Sequence, residues 1–283
     1  MERFDTSVRY HAWYEHWHRY HFVLELVKNK KVCDAACGVG YGSALMASVA
    51  NSVTGIDLNK KTIDAATKEY SSISNLKYKQ SNAINLDCED NSYDVLVSFE
   101  TLEHLCEHDE LLTEFQRVLK TDGLLIISTP DKDVYSANDD HNHFHVKELT
   151  SLEFDGLIDS KFKYNKTYGQ QFQLLSVIEK LQREENHSDY KSVYVKQGKE
   201  NLSIKNESKP QYLIKLCSNN KQTINNIEMP NIHTFADSTN SLYHHYEEQV
   251  IRLLQIDKQN KLLIETVEKQ NTLIDHLKAR LGF

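Results

Sequence analysis

The sequence has 283 residues, of which 26 % are charged and 40 % hydrophobic, a balance typical of a folded globular protein. Its formal net charge of −8 argues against a nucleic-acid partner, because binding to phosphates requires a basic surface. The five cysteines are scattered without a C-x-x-C pair, which favours reduced thiols over a disulfide framework. No apolar run approaches the roughly 20 residues that a membrane span needs. We therefore expect a soluble, cytoplasmic protein.

Short apolar strands alternate with amphipathic helices along the first half of the chain. This alternation predicts an α/β fold with a doubly wound, mostly parallel sheet that is covered by helices on both faces. We predict that Asn59 caps the helix that it precedes. The predicted strands are 30–36, 52–57, 75–83, 93–100 and 123–130, and the predicted helices are 41–50, 59–70 and 109–120.

The pattern becomes looser after residue 131. A short helix is predicted over 150–159 and two late strands over 161–169 and 211–218, separated by a polar insertion at about 171–209. The predicted organisation is a domain over 1–219 that begins with a helical lid (1–24), a linker over 220–236 and a coiled-coil helix over 237–283.

A glycine-rich turn follows the first strand in the sequence DAACGVGYGS. Three of the nine glycines alternate here, at Gly38, Gly40 and Gly42. Glycine at such a turn lets a ligand lie against bare backbone at the start of the next helix. Asp57 ends the second strand, where a carboxylate can accept both hydroxyls of a ribose. These features indicate a cofactor that contains a nucleoside.

Two cofactor classes fit a nucleoside site. A dinucleotide favours G-x-G-x-x-G, but Ser43 stands at the position of the last glycine. Asp34 would face a pyrophosphate unfavourably, whereas it suits a ligand with a cationic end. S-adenosylmethionine carries an ammonium and a sulfonium, so we predict this cofactor.

The segments VCDAACGVGYG and VTGIDL resemble the first two motifs of class I S-adenosylmethionine-dependent methyltransferases. The resemblance extends over about residues 15–219 and implies a seven-stranded sheet whose last strand is antiparallel. It also implies that a helix before the sheet closes over the cofactor, which makes Arg19 a candidate cofactor residue, although this helix could simply pack Trp17 and Tyr20 into the core. By position, the other implied cofactor residues are Asp34, Gly38 and Gly40 for the methionine part, Asp57 for the ribose, and Leu58, Asn82 and Ala83 for the adenine.

An E-x-x-E-H pattern follows the fourth strand at Glu100, Glu103 and His104. On a helical turn this spacing brings two carboxylates and an imidazole to one side. They could hold Mg²⁺ or another divalent cation, with His145 as a further ligand, as in metal-assisted O-methyltransferases that the pattern resembles. Alternatively, His104 acts alone as a general base, or Glu103 and His104 only anchor the next helix.

Histidines alternate after the fifth strand, at positions 141, 143 and 145. An imidazole can accept a proton from a sugar or phenol hydroxyl near neutral pH. His143 and His145 are therefore candidate catalytic residues together with His104, although one of these histidines could instead cap a helix that starts near Val146.

The segments YEHWHRY, NHFHVKEL and YGQ resemble methyltransferases encoded with bacterial surface-polysaccharide enzymes. This resemblance implies an O-methyltransferase that acts on a sugar or glycan hydroxyl. The alternatives are a small-RNA 2′-O-methyltransferase, another small-molecule O-methyltransferase, or a non-catalytic scaffold that only binds the cofactor.

The C-terminal segment contains a heptad pattern over about five heptads. The a positions are Tyr246, Leu253, Asn260, Val267, Ile274 and Leu281, and the d positions are Gln249, Ile256, Leu263, Gln270 and Leu277. Such a narrow apolar stripe predicts self-association as a coiled coil, with Asn260 fixing the register. The alternative is a long helix that folds back on the first domain.

Overall fold

The computed structural model describes residues 11–135, 144–173, 194–197, 202–205, 209–236 and 241–281. Nine strands lie within these residues. They are Lys31–Ala35 (β1), Ser52–Asp57 (β2), Leu76–Gln80 (β3), Tyr93–Ser98 (β4), Leu119–Pro130 (β5), Tyr164–Gln170 (β6), Tyr194–Gln197 (β7), Leu202–Lys205 (β8) and Tyr212–Ser218 (β9).

Seven of these strands form one sheet in the order β3-β2-β1-β4-β5-β9-β6. The first five strands in this order pair in parallel, whereas β9 runs antiparallel to both β5 and β6. The expected seven-stranded sheet with an antiparallel last strand is therefore confirmed. Within the predicted insertion, β7 and β8 form a separate antiparallel pair.

Both faces of the sheet are buried. Along β4, Val95 and Val97 belong to one hydrophobic cluster and Leu96 to another, and each of these side chains is at most 1 % exposed. Alternate side chains of a strand point to opposite faces, so the two clusters lie on the two sides of the sheet. This arrangement explains why the strands read as continuous apolar runs.

Helices of the first structural unit pack on both faces of the sheet. Asn59 caps its helix as predicted, since its Oδ1 accepts from the backbone N–H of Thr62 at 3.1 Å. The helices are His11–Phe22 (α1), Leu24–Val27 (α2), Tyr41–Ala47 (α3), Lys60–Glu69 (α4), His108–Val118 (α5), Lys132–Tyr135 (α6), Ser151–Asp159 (α7), Lys221–Asn225 (α8) and Ser241–Leu281 (α9), with a 3₁₀ turn at Leu102–His104.

The segment predicted as a linker over 220–236 differs in its first part from that expectation. It begins with α8, and the side chains of Ile224 and Ile227 are buried in a cluster that also contains Ile214 of β9. The apolar side chains of this stretch therefore pack as part of the first structural unit, which extends to Thr234.

The second structural unit, Phe235–Phe283, contains α9. This helix has 41 residues and a length of about 60 Å. Its apolar side chains at the predicted heptad positions are exposed, including Leu253, Leu263 and Ile274. No helix in the described part of the chain combines the length and hydropathy needed to cross a bilayer.

Candidate active site

The glycine turn after β1 is built from backbone that favours glycine. Gly38 and Gly40 have φ angles of 55° and 85°, in the left-handed region. A Cβ on Gly38 would meet no described atom within 4 Å, so bare backbone faces open space there. A Cβ on Gly40 would instead lie 2.5 Å from the Tyr78 hydroxyl, and one on Gly42 would lie 2.0 Å from the Tyr20 ring. Two of the three glycines therefore make room for tyrosine rings of the protein itself.

Asp34 lies next to this turn and is fully buried. Its two carboxylate oxygens accept hydrogen bonds from the Ser43 hydroxyl at 2.5 Å and from the Tyr20 hydroxyl at 3.3 Å. Burial raises the pKa of Asp34 to about 7, although the hydrogen bond from Ser43 opposes this shift. A carboxyl in this setting changes its charge readily when a cation arrives nearby.

Asp57 lies at the end of the neighbouring strand β2. Its oxygens accept from the backbone N–H of Gly38 at 3.1 Å and of Asn59 at 2.8 Å. The side chain thus connects the glycine turn to the start of α4. The adjacent Leu58 is 52 % exposed, which leaves an apolar surface beside this carboxylate.

Asn82 and Ala83 follow β3 on the same edge of the sheet. The Oδ1 atom of Asn82 accepts from the backbone N–H of Ile84 at 3.2 Å, and Asn82 itself is exposed. Ala83 is partly buried against the cluster on one face of the sheet. The edge from β1 to β3 therefore brings together the residues that the sequence assigned to the nucleoside.

Arg19 of α1 is 1 % exposed and lies over the same edge. Its Nη1 donates to Oε1 of Gln170 at 2.7 Å and lies 3.8 Å from Oε1 of Glu100, while the guanidinium stacks 4.7 Å from the centre of the Tyr212 ring. Its Nε and Nη2 atoms have no hydrogen-bond partner among the described residues. One edge of a buried guanidinium is thus available for an anion.

Glu15 lies one helical turn before Arg19 and is 2 % exposed. Neither of its carboxylate oxygens makes a hydrogen bond of good geometry within the described part of the chain, although the Tyr212 hydroxyl is close enough to lower the Glu15 pKa. Burial raises the pKa of Glu15 to about 7, although Arg19 opposes the shift. Burying polar groups without hydrogen bonds costs free energy. A bound ligand that forms hydrogen bonds with these polar groups of α1 would therefore stabilise the site.

Glu100 does not share a helical turn with Glu103 and His104, contrary to the expected helical spacing. Its φ angle is 50°, and the Leu102–His104 turn begins only after it. The Oε1 atom of Glu100 accepts from the Ser128 hydroxyl at 2.6 Å and faces Arg19. A left-handed residue cannot continue a right-handed helix, so the i, i+3, i+4 alignment does not form.

Glu103, His104 and His145 form a cluster in which one ligand atom of each lies within 4.8 Å of the others. His104 Nδ1 contacts the carbonyl oxygen of Phe144 at 2.9 Å, and His145 Nδ1 contacts Oε1 of Glu148 at 2.5 Å. Oε2 of Glu103 is buried without a hydrogen-bond partner in the described ranges. The structure therefore brings together three of the four candidate metal ligands and two of the three candidate catalytic histidines.

The segment around this cluster differs from the expected helix near Val146. The backbone N–H groups of Val146 and Lys147 donate to the carbonyl oxygen of Glu103 at 2.7 and 3.1 Å. The helix begins later, at Ser151, because Thr150 forms a capping box with Glu153. His141 and the candidate residue His143 lie outside the described residues.

A family model described as a methyltransferase domain matches residues 26–278. The chain belongs to this methyltransferase family. A probable S-adenosylmethionine-dependent methyltransferase of Mycolicibacterium smegmatis is 32 % identical over 162 residues, which cover 54 % of this chain and 62 % of the relative. The predicted class I S-adenosylmethionine-dependent methyltransferase domain is thereby confirmed.

A ubiquinone biosynthesis O-methyltransferase of Pelagibacter ubique is 34 % identical over 112 residues, covering 39 % of this chain and 46 % of the relative. The chain thus spans about half the length of the curated relatives that it matches. A crystal structure of an S-adenosylmethionine-dependent methyltransferase of Thermotoga maritima, described as a possible histamine N-methyltransferase, aligns with a TM-score of 0.53 at 15 % identity. That alignment covers 73 % of this chain and 90 % of the other, and it supports the fold alone.

Several residues of the methyltransferase site have only weak sequence signals. Gln170 belongs to the YGQ segment, which suggested a resemblance but no contact. Tyr20 and Ser43 come from α1 and α3, and only the folded chain brings their hydroxyls to Asp34. Tyr212 begins β9 and reaches Arg19 through the antiparallel pairing with β6.

Proposed function

We propose that this chain is an S-adenosylmethionine-dependent O-methyltransferase that acts on a hydroxyl of a sugar or glycan. The observation that carries this proposal is the cluster of Glu103 and His104, which follow β4, with His145, which follows β5, at the carboxyl edge of the parallel sheet. Ligands of open α/β sheets bind at this edge. Transfer of a methyl group to oxygen requires a group that accepts or weakens the hydroxyl proton, whereas a neutral amine needs no such help before it attacks.

The cofactor lies along the edge from β1 to β3. Bare backbone at Gly38 and the carboxylate of Asp57 receive the ribose, and the exposed side chain of Leu58 packs on the adenine. Asn82 accepts from the adenine amino group, beside Ala83. The buried carboxyl of Asp34 faces the cationic methionine end, and the unpartnered edge of Arg19 binds its carboxylate.

The affinity for S-adenosylmethionine is expected to rise with pH through the pKa of Asp34, which burial raises to about 7. Below this pKa the carboxyl is neutral, and above it the carboxylate attracts the ligand's positive charges, so binding releases a proton at acidic pH. Of the groups that face Asp34, Tyr20 and Cys37 have raised pKa values and stay neutral in this range, and Asp57 contributes to the shift. Calorimetry between about pH 5.5 and 7.5 should show Kd falling roughly tenfold.

The control for this titration is Asp34→Asn, which keeps the hydrogen-bonding shape but cannot ionise. It should bind more weakly and lose most of the pH dependence. Because the pKa of Glu15 is also raised to about 7, Glu15→Gln serves as a second control and should keep the pH dependence. A wild-type Kd that does not change over this pH range would contradict the role of Asp34.

The hydroxyl proton is handled by the cluster of Glu103, His104 and His145. In both histidines Nδ1 is engaged by an oxygen atom, which orients Nε2 as the nitrogen for the reaction. One carboxylate and two imidazoles also fit a divalent cation, and the unpartnered Oε2 of Glu103 would be satisfied by it. A cation bound there would lower the pKa of the acceptor hydroxyl. Of the divalent cations that the sequence allows, iron and zinc suit imidazole-rich donors better than Mg²⁺ does.

The sugar acceptor is supported by the polar surface around the cluster and by the sequence resemblance to polysaccharide-linked methyltransferases. The carboxylate of buried Glu15 offers hydrogen-bond acceptors suited to a hydroxyl-rich molecule. The similarity to a relative named as an O-methyltransferase supports oxygen as the acceptor atom. The acidic chain, with its net charge of −8, makes the small-RNA alternative less favourable.

The acceptor class is tested by measuring S-adenosylhomocysteine formation with panels of saccharides and nucleotide sugars, catechols, and short single-stranded RNA. Turnover is expected with a saccharide, and NMR should locate the new methyl group on oxygen. Turnover with a catechol or at an RNA ribose would overturn the sugar proposal. Tight S-adenosylmethionine binding without turnover on any panel would favour the scaffold alternative.

A second copy of the chain associates through α9. Leu253, Ile256, Leu263, Val267 and Ile274 at a and d positions are exposed, although such side chains are normally buried in a coiled coil. In a parallel pair, Arg252 at a g position lies opposite Asp257 of the other copy at the following e position. Asn260 at an a position favours a parallel, in-register dimer.

Leu263→Lys is expected to weaken this association on the order of 100-fold, because it buries a charge in the apolar seam. Light scattering should report a lower mass for this variant. Leu262→Lys is the matched control, because the neighbouring leucine occupies an outer c position and is also exposed. Equal masses for both variants and the wild type would indicate that α9 does not form the dimer.

A further inference from the structure

Gln170 links α1 to the far end of the sheet through both ends of its amide. Its Oε1 accepts from Nη1 of Arg19 at 2.7 Å, and its Nε2 donates to the backbone carbonyl of Glu15 at 2.8 Å. The side chain is 7 % exposed and ends β6, where it pairs with Tyr212. A single buried side chain therefore holds both the backbone of α1 and the guanidinium that α1 carries.

These contacts determine which way the guanidinium faces. Nη1 is engaged by Gln170 and lies near Glu100, and the flat face stacks on the Tyr212 ring. The opposite edge, with Nε and Nη2, is the edge without a hydrogen-bond partner in the described residues. Two parallel N–H groups on one guanidinium edge match the two oxygens of a carboxylate.

We propose that Gln170 is a positioning residue that aims the Nε–Nη2 edge of Arg19 at the carboxylate of the cofactor's methionine end. This inference rests on the proposed cofactor role of Arg19. The amide is chemically specific, because it supplies one acceptor for the guanidinium and one donor for the carbonyl. A carboxylate at this position would face the Glu15 carbonyl with a second acceptor and would compete for the charge of Arg19.

The test is a double-mutant cycle on S-adenosylhomocysteine binding, measured by calorimetry on the full chain. Arg19→Met should lower the affinity about 100-fold and Gln170→Leu about tenfold. The double variant should bind no more weakly than Arg19→Met, because Gln170 acts through Arg19. Gln170→Glu should not restore binding, although it is similar in size.

The affinity for a ligand without a carboxylate distinguishes a positioning role of Gln170 from a merely structural one. 5′-Methylthioadenosine lacks the amino acid end, so Gln170→Leu should leave its Kd within about twofold of wild type. The matched control is Gln116→Leu on α5. This change removes a half-buried amide whose Nε2 donates to the Lys161 carbonyl oxygen at 2.9 Å. This control should leave the affinity for both ligands unchanged.

The outcomes separate the two proposals. If Arg19→Met binds S-adenosylhomocysteine as tightly as wild type, the cofactor role of Arg19 is wrong. If Arg19→Met weakens binding but Gln170→Leu does not, or if the two losses add fully, the positioning role of Gln170 is wrong. If Gln170→Leu loses as much affinity for 5′-methylthioadenosine as for S-adenosylhomocysteine, Gln170 only maintains the general stability of the site and the positioning role is wrong.

Discussion

Asp57→Ala is expected to reduce the affinity for S-adenosylmethionine by about 100-fold or more. The proposed contacts are two hydrogen bonds from ribose hydroxyls to a carboxylate, and each such bond to a charged group contributes about 1.5–3 kcal/mol. Calorimetry with S-adenosylmethionine and S-adenosylhomocysteine measures the loss directly and needs no acceptor. An unchanged Kd would remove Asp57 from the cofactor site.

The structure shows that Asp57 also has a local role, which the experiment has to separate. Its carboxylate accepts from the backbone of Gly38 and Asn59, so alanine could loosen the glycine turn. Asp57→Asn keeps one acceptor oxygen and should show a smaller loss with a melting temperature close to that of wild type. Asp64→Ala removes an equal charge at an exposed site on α4, where Asp64 forms an ion pair with Lys60, and should leave the affinity unchanged.

Glu103→Ala is expected to weaken divalent-cation binding by more than about 100-fold. Even the loss of a residue that only hydrogen-bonds to a metal ligand lowers metal affinity by about 10–100-fold. Glu103 supplies the carboxyl group of the cluster with His104 and His145. Metal analysis of the purified chain, followed by calorimetry with Mn²⁺ and Zn²⁺, measures the effect. Chelation should abolish methyl transfer without changing the affinity for S-adenosylmethionine, because the cofactor residues lie outside this cluster.

The matched control for this prediction is Glu247→Ala, which removes a carboxylate beside His244 on the exposed surface of α9. Cation binding should be unaffected. A chelated enzyme that keeps its full activity, but loses it in His104→Ala or His145→Ala, would contradict the metal and identify a histidine as the general base. Activity of the Glu103→Ala variant should be insensitive to chelation in either case.

The order of elements and the glycine turn could be predicted from the sequence because both depend on local patterns. Apolar runs bounded by polar turns define the strands of a sheet buried on both faces, and Asn59 carries its capping chemistry in its own side chain. The roles of the three glycines could not be separated in this way. Only the fold brings the rings of Tyr20 and Tyr78 against Gly42 and Gly40, leaving Gly38 to face open space.

The E-x-x-E-H pattern illustrates the limit of spacing arguments. The expected alignment of Glu100 with Glu103 assumed continuous helix, but Glu100 adopts a left-handed conformation and faces Arg19 from α1. His145, which the sequence had suggested as a further ligand, does lie beside Glu103 and His104, because backbone N–H groups of the next two residues, Val146 and Lys147, bind the Glu103 carbonyl. Sequence distance gave no information about either contact.

By itself, the sequence determined the alternation of strands and helices, the glycine turn and the carboxylates near the ends of β1 and β2, because hydrophobic periodicity and glycine placement act over a few residues. The methyltransferase domain and the seven-stranded sheet followed from the resemblance of two short motifs to a known family. Only the tertiary structure decided which charged and polar side chains pair with one another at the carboxyl edge of the sheet. Arg19, Glu100 and Gln170 come from three separate elements, and their pairing depends on how α1 crosses the ends of β4 and β6. Hydrogen bonds between distant elements have no periodicity, and they follow from the packing that buries these polar groups together.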